Sequence, residues 1–171
     1  MRTVRQLQKI RYVTSLAALL LVLSGAGAQA ATAPTAYSFS ATTLSGTPFK
    51  GASLTAKPTV LWFWAPWCTI CRAESPDLVS LAKTFKGQIN IVGVAGLGKV
   101  EEMKAFVSET HTGNFPHLAD VNGQVWNHFG VVSQPSFVFI SKKGVLYRKV
   151  GAIQKSDLFA MTKKLIEGKA I

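Results

Sequence analysis

The two cysteines in the chain, Cys68 and Cys71, are separated by Thr69 and Ile70. Three kinds of chemistry use such a pair: a structural disulfide, half of a metal site, and a reactive dithiol. A disulfide stabilises a fold chiefly by closing a long loop, and this spacing closes almost none. A structural zinc ion needs four ligands, of which the pair supplies only half.

The histidines are the obvious source of further metal ligands. They are His111, His117 and His128, and none is spaced at i, i+4 from another. We therefore predict that each is an exposed or half-buried side chain. We expect no metal and no cofactor other than a redox-active Cys68–Cys71 disulfide.

The elements predicted around the pair favour a reactive dithiol. The apolar run from Thr59 to Ala65 predicts a strand that is buried on both faces. Apolar residues at helical spacing, Leu78, Leu81 and Phe85, predict that a helix follows Cys68. Pro76 should kink this helix near its start.

A thiol at the N-terminus of a helix is stabilised as a thiolate by the helix dipole and the free backbone N–H groups. The thiolate is the species that attacks a disulfide. We predict that Cys68 contacts substrate. Cys71, one turn further along, would be shielded and would close or open the internal bond.

The N-terminus predicts export. It carries the basic residues Arg2, Arg5, Lys9 and Arg11, then an apolar run from Leu16 to Ala28, then Ala-Gln-Ala at 28–30. Residues 1–30 are predicted to be a signal peptide cleaved before Ala31; the alternative is an uncleaved N-terminal membrane anchor. A secreted or extracytoplasmic location is oxidising and favours a disulfide over a metal.

The charge of the chain is strongly basic, +11 in total. Removing residues 1–30 removes four of the 19 basic residues, which leaves 15 against eight acids and a charge of +7. The remaining lysines are scattered in pairs, so we expect a solvated basic surface and no nucleic-acid partner. Weak attraction to an anionic cell envelope is compatible with this pattern.

The remaining patterns describe one α/β domain over residues 37–171, preceded by a flexible lead at 31–36. Further elements are predicted as a hairpin over 37–54, a buried strand over 89–95, a helix over 99–110, a short strand in 115–121, a short helix in 123–130, a hairpin over 136–151 and a final helix. Ser156 is the predicted cap of that final helix.

The stretch "VLWFWAPWCTICRAESP" resembles the thioredoxin-like disulfide oxidoreductases of the TlpA/ResA/DsbE branch. The likeness is greatest to secreted DsbE-like and DsbF-like proteins of actinobacteria. It covers residues 37–168 and includes the N-terminal hairpin, Glu74, Pro76 and a proline, Pro135, just before a predicted strand. Peroxiredoxins place a threonine three residues before the attacking cysteine; Ala65 stands there, which disfavours a peroxidase.

The resemblance implies a thioredoxin fold, in which helices flank a mixed central sheet and a β-hairpin extends the N-terminus. It also implies a cis Pro135 facing the cysteines, which leaves the backbone of Gln134 free to pair with a substrate strand. Glu74 would tune or relay protons for the thiols; the alternative is a solvated acid in the first helical turn. The substrate groove would comprise Trp67, Thr69, Ile70 and Gln134, with Trp64 sharing an apolar rim with Trp67.

One position departs from thioredoxin itself. Trp62 stands where thioredoxin has a buried acid that deprotonates the inner thiol, so Glu74 or water would have to serve Cys71. The resemblance leaves the direction of electron flow open. We expect a monomeric dithiol oxidase that acts on thiols of unfolded exported proteins and is reoxidised by a DsbB-like or VKOR-like membrane protein.

Two alternatives remain. The first is a reductase in cytochrome c maturation that receives electrons from a CcdA-like membrane protein. The second is a non-catalytic module that uses its groove to bind a ligand such as haem.

Overall fold

The computed structural model describes residues 35–171. The predicted signal peptide and residues 31–34 lie outside the described residues. Thr35–Tyr37 forms a short 3₁₀ helix in which Ala36 is buried. Thr35 and Ala36, which the sequence assigns to the end of the lead, thus belong to this 3₁₀ helix; Thr35 is exposed and Ala36 packs into the domain.

The described strands form a hairpin and a five-stranded sheet. The hairpin pairs β1 (Ser40–Thr42) with β2 (Pro48–Lys50). The sheet contains β3 (Thr59–Trp64), β4 (Asn90–Ala95), β5 (His117–Ala119), β6 (Ser136–Ile140) and β7 (Leu146–Val150), in the order β5-β4-β3-β6-β7. The strands β3, β4 and β5 are parallel, whereas β6 runs antiparallel to β3 and β7. The predicted mixed sheet and N-terminal hairpin are confirmed.

Four helices cover the sheet: α1 (Thr69–Thr84), α2 (Val100–Glu109), α3 (Gln124–His128) and α4 (Lys155–Ile166). The helix α1 continues through Pro76 as one element. The predicted cap of α4 was wrong: its first helical residue is Lys155, its cap position is Gln154, and Ser156 lies inside the helix. The helix begins two residues earlier than predicted, where the N–H of Leu158 donates to the Gln154 carbonyl.

Every residue of β3 is buried, and alternate residues serve opposite faces of the sheet. Val60, Trp62 and Trp64 pack with residues of α1, α2 and α4. Leu61 and Phe63 pack on the other face with residues of α3 and the N-terminal segment. Two hydrophobic clusters thus hold β3 rigidly, and its last residue leads directly into the turn that carries the cysteines.

Candidate active site

The cysteine pair lies where β3 ends and α1 begins. Cys68 is the cap residue of α1, and the backbone N–H of Cys71 donates to its Sγ at 3.1 Å. The two cysteines form a disulfide, with 5.3 Å between their Cα atoms. Cys68 is 7% exposed and Cys71 is fully buried. The predicted strand–turn–helix placement is confirmed, and solvent reaches only the first of the two residues.

Glu74 lies one turn beyond Cys71 and is buried. Its Oε1 accepts a hydrogen bond from the backbone N–H of Ile153 at 2.9 Å, whereas Oε2 has no partner among the described residues. Burial raises the pKa of this carboxyl group from about 4.5 to about 7. The alternative of a solvated first-turn acid is wrong, since the loop before α4 covers the side chain.

Trp62 lies beside the Glu74 carboxyl group. Its indole N–H favours the ionised carboxylate and lowers the Glu74 pKa slightly, but it lies outside hydrogen-bonding geometry. The positive charge of Lys149 also lowers the Glu74 pKa, whereas the negative charge of Asp77 raises it. Trp62 thus occupies the position of the buried acid of thioredoxin, and the carboxyl group of Glu74, on the following helix α1, lies beside it.

An apolar rim of four exposed side chains surrounds the disulfide end. It comprises Trp67, Ile70, Leu97 and Val132, and Val132 is 90% exposed. The indole N–H of Trp67 donates to the Leu97 carbonyl at 2.8 Å, which fixes the two residues together. Leu97 has φ of 55°, a left-handed conformation that is uncommon for a non-glycine residue.

Trp64 does not belong to this rim, so that prediction was wrong. It is fully buried and stacks on Phe106 of α2, with ring centroids 4.2 Å apart. Residues two apart on a strand point to the same face, so Trp64 follows Trp62 into the core. Thr69 and Ile70 are exposed, as expected for the residues between the cysteines.

The loop before β6 lies at the same end of the sheet. The Gln134–Pro135 peptide bond is cis, as the resemblance implies. Ser136, the next residue, pairs with Phe63 near the end of β3, and the Pro135 carbonyl accepts a hydrogen bond from Gly151. Gln134 makes no backbone hydrogen bond to any described residue, so its backbone groups are available.

Two residues of the site were missed by sequence reasoning, Leu97 and Val132. Both line a cavity of about 420 Å³ between the loops after β4 and α3, together with Trp126 and Val131. An isolated apolar residue in a loop gives no periodic signal, so neither could have been identified from pattern alone.

The histidines do not form a metal site. Within residues 35–171 no group of three or more His, Cys, Asp or Glu side chains could hold a metal ion. His117 is buried, contrary to the prediction, and its Nε2–H donates to the Thr112 carbonyl at 3.1 Å. Burial lowers its pKa to about 4, so the ring is neutral near pH 7. Its position on β5, under Phe115, accounts for the burial.

Comparison with known proteins agrees with this geometry. The model of the AhpC/TSA family matches residues 32–149. The soluble secreted antigen MPT53 of Mycobacterium tuberculosis is 47% identical over 106 residues, which cover 62% of this chain and 60% of that protein. This chain therefore spans less than two thirds of the length of that relative.

Two solved structures are similar over nearly their whole length. The structure of MTB DsbF has a TM-score of 0.76 and 40% identity, covering 78% of this chain and 99% of that one. The second structure is a secreted Mycobacterium tuberculosis disulfide oxidoreductase that is described as homologous to E. coli DsbE. Its TM-score is 0.70 and its identity 37%, and the match covers 80% of this chain and 99% of that one. The chain thus has the thioredoxin-like fold and the Cys-x-x-Cys pair of thiol–disulfide oxidoreductases.

Proposed function

The chain belongs to the AhpC/TSA family, and from this premise we propose that it is an extracytoplasmic dithiol oxidase that introduces disulfides into exported proteins. The observation that carries the proposal is the Cys68–Cys71 disulfide at the start of α1, in which Cys68 is 7% exposed and Cys71 is fully buried. Similarity to a secreted antigen and a secreted disulfide oxidoreductase supports the location.

The reaction consists of two thiol–disulfide exchanges. A substrate thiolate attacks Cys68 Sγ, a mixed disulfide forms, and the bond to Cys71 Sγ breaks. A second substrate thiolate then attacks the substrate sulfur, which forms the substrate disulfide and releases the Cys68 thiolate. Two electrons pass from substrate to protein. The helix N-terminus stabilises the leaving Cys68 thiolate, which makes the protein a better oxidant.

Glu74 is the proposed proton donor and acceptor for Cys71. The two residues are three apart on one face of α1, and both are buried. A carboxyl group with a pKa of about 7 is partly protonated near neutral pH. It can therefore protonate the buried Cys71 thiolate after the bond breaks and take the proton back during reoxidation.

Substrate is proposed to bind as an extended segment. The free backbone groups of Gln134 would pair with the substrate main chain. Trp67, Thr69 and Ile70, all exposed, would contact its side chains, and the apolar rim favours unfolded chains that still expose hydrophobic residues. Reoxidation would then come from a DsbB-like or VKOR-like membrane protein.

A reductase in cytochrome c maturation, supplied by a CcdA-like protein, is the second candidate. The observation that favours it is the likeness to a structure described as homologous to E. coli DsbE. The scaffold permits both directions, since thioredoxin-fold proteins span about −270 to −120 mV, or roughly 7 kcal/mol for two electrons.

Measurement of the reduction potential against a glutathione series distinguishes the two. An oxidase should have a potential well above that of thioredoxin, about −270 mV, and should restore activity to a reduced, unfolded disulfide-containing enzyme. The Cys68→Ser variant is the control and should be inactive. A potential near or below that of thioredoxin would favour the reductase, and full activity of Cys68→Ser would favour a non-catalytic module.

A further inference from the structure

The end of the sheet remote from the disulfide contains a cavity of about 630 Å³. The strand β3 begins at this end and runs roughly 20 Å before it reaches the cysteine turn. The cavity is bounded by the loop before β3, the β6–β7 turn and the end of the chain after α4. It shares no lining residue with the site described above, and the proposed redox function does not use it.

This end is basic. Lys57, Lys142, Lys143 and Lys169 line the cavity, and among the described lining residues Glu167 is the only acid. Glu167 is paired with Lys169 at 2.8 Å. The other three lysines form no ion pair within the part of the chain that the structure describes, so their charges face solvent uncompensated.

The opposite end carries charges of both signs. Arg72, Glu102 and Glu109 line the depression beside Trp67, and Arg72 is paired with Glu109 at 2.8 Å. Asp120, beside Leu97, is buried, and its carboxylate accepts hydrogen bonds from the backbone N–H groups of Val125 and Trp126. The three unpaired lysines therefore give the remote end a concentration of positive charge, which an anionic surface would attract.

Exposed apolar residues adjoin the lysines. Val145 is 66% exposed and follows the Lys142–Lys143 turn, and Leu146 and Tyr147 on the edge strand β7 are also exposed. Lysines next to exposed aliphatic and aromatic side chains form the combination that binds a lipid–water interface: the charges meet anionic headgroups and the apolar groups enter the acyl boundary.

The chain also begins its described course at this end. The hydroxyl group of Tyr37 donates to the Ser141 carbonyl at 3.2 Å, immediately before the Lys142–Lys143 turn. Thr35 and Ala36 lie in the same 3₁₀ helix. Thr35, the first described residue, is therefore two positions from a side chain that contacts the basic end.

We propose that the basic end, defined by Lys57, Lys142, Lys143 and Val145, docks on an anionic phospholipid bilayer. Charge complementarity favours an anionic partner, and the exposed apolar side chains beside the lysines favour a bilayer over a soluble polyanion. In the docked protein Cys68 lies at the end that faces away from the lipid, where chains leaving the membrane can reach it. The binding is reversible and weakens with salt, because it depends on a few exposed charges.

The test uses residues 32–171, which form one compact unit and contain both hydrophobic clusters. Solved chains of similar proteins correspond to this unit over 99% of their length, which indicates that it folds alone. Flotation with phosphatidylcholine vesicles, with and without phosphatidylglycerol, measures binding. We expect binding only to the anionic vesicles.

Lys142→Gln/Lys143→Gln should bind the anionic vesicles about 10- to 30-fold more weakly, from the contribution of two lysines near a charged surface. The matched control is Lys99→Gln/Lys104→Gln, which removes the same charge from exposed positions at the disulfide end. The control should retain wild-type affinity, and circular dichroism should show that both variants are folded.

Absence of wild-type binding to anionic vesicles would overturn the proposal. An equal loss of vesicle affinity in the two double variants would also overturn the proposal, because binding would then depend on the net charge of the protein and not on the lysines of the basic end. Binding of heparin in place of vesicles would identify a soluble polyanion as the occupant instead. Val145→Ser should weaken vesicle binding without affecting heparin binding if the apolar side chain enters the interface.

Discussion

The two cysteines lie one helical turn apart and differ in their position on α1. Cys68 caps the helix and is 7% exposed, whereas Cys71 lies inside it and is fully buried against the core. The proposed division of labour, in which Cys68 meets substrate and Cys71 closes the internal bond, follows from that difference.

Reduction should therefore expose one reactive thiol. We expect iodoacetamide to alkylate Cys68 at least about tenfold faster than Cys71 in the reduced protein, because the helix N-terminus favours its thiolate and solvent reaches it. Mass spectrometry of time-quenched samples measures both rates. Cys71→Ser should accumulate mixed disulfides with substrate, and equal alkylation of the two thiols would contradict the assignment.

Glu74 should make the stability of the oxidised protein depend on pH. Its pKa is raised in the folded state to about 7, from an ordinary value of about 4.5. The folded protein thus holds the Glu74 proton more tightly than the unfolded chain, so the contribution of Glu74 to stability falls as pH rises between these values. Buried His117, with its pKa lowered to about 4, contributes in the opposite direction over an overlapping range. The stability of Glu74→Gln should therefore rise with pH by more than that of the wild type, as measured by urea unfolding of both proteins from pH 4 to pH 8.

The same variant tests the proposed proton transfer. Glu74→Gln should slow release of Cys71 from the disulfide and remove a step near pH 7 from the pH–rate profile. Glu101→Gln is the matched control, since Glu101 is exposed on α2 and is not among the charges that act on the Glu74 pKa. An unchanged profile in Glu74→Gln would leave Glu74 with a structural role only.

At the scale of the elements, the close approach of β4 and β5 depends on a glycine. A Cβ atom at Gly93 would lie 2.1 Å from His117 Nδ1 and 2.9 Å from Trp64 Nε1. Both of these nitrogen atoms are buried without a hydrogen-bond partner among the described residues. Gly93 therefore allows His117 and Trp64 to pack over the strand behind the cysteine turn.

Gly93→Ala should destabilise the fold by about 1–3 kcal/mol, because overpacking forces neighbouring side chains or backbone to move. Gly113→Ala is the control, since its Cβ atom would meet only Val107 Cγ1, at 4.0 Å. Chemical denaturation of the wild type and both variants measures the free energies of unfolding to be compared. A tolerated Gly93→Ala would show that His117 can move at little cost.

At the scale of the whole molecule, β3 connects the two ends of the described chain to which we assign different functions. The disulfide lies at one end and the basic cavity at the other. Among the described residues no helix is long and apolar enough to cross a bilayer.

Residues 32–171 should fold and retain redox activity without the preceding residues. Both hydrophobic clusters, the whole sheet and the disulfide lie within this unit. We expect its thermal unfolding to be cooperative and its reduction potential to match that of the full chain. A loss of cooperativity would show that the first residues contribute to the core.

Much of the fold could be predicted from the sequence because the strongest patterns are local. The continuous apolar run at β3, the helical spacing after Cys68 and the hairpin turns each specify an element through its periodicity. The Cys-x-x-Cys spacing and its position between strand and helix likewise placed Cys68 at the start of α1. These features depend only on neighbouring residues.

The environment of single side chains was decided by the tertiary structure. Glu74 is buried because Ile153, 79 positions away, donates to it. Trp64 is buried under Phe106 of α2 and His117 under Phe115, and Leu97 joins the rim through its contact with Trp67. Periodicity determines which face a residue occupies, whereas burial, pKa and charge balance depend on groups that only folding brings together.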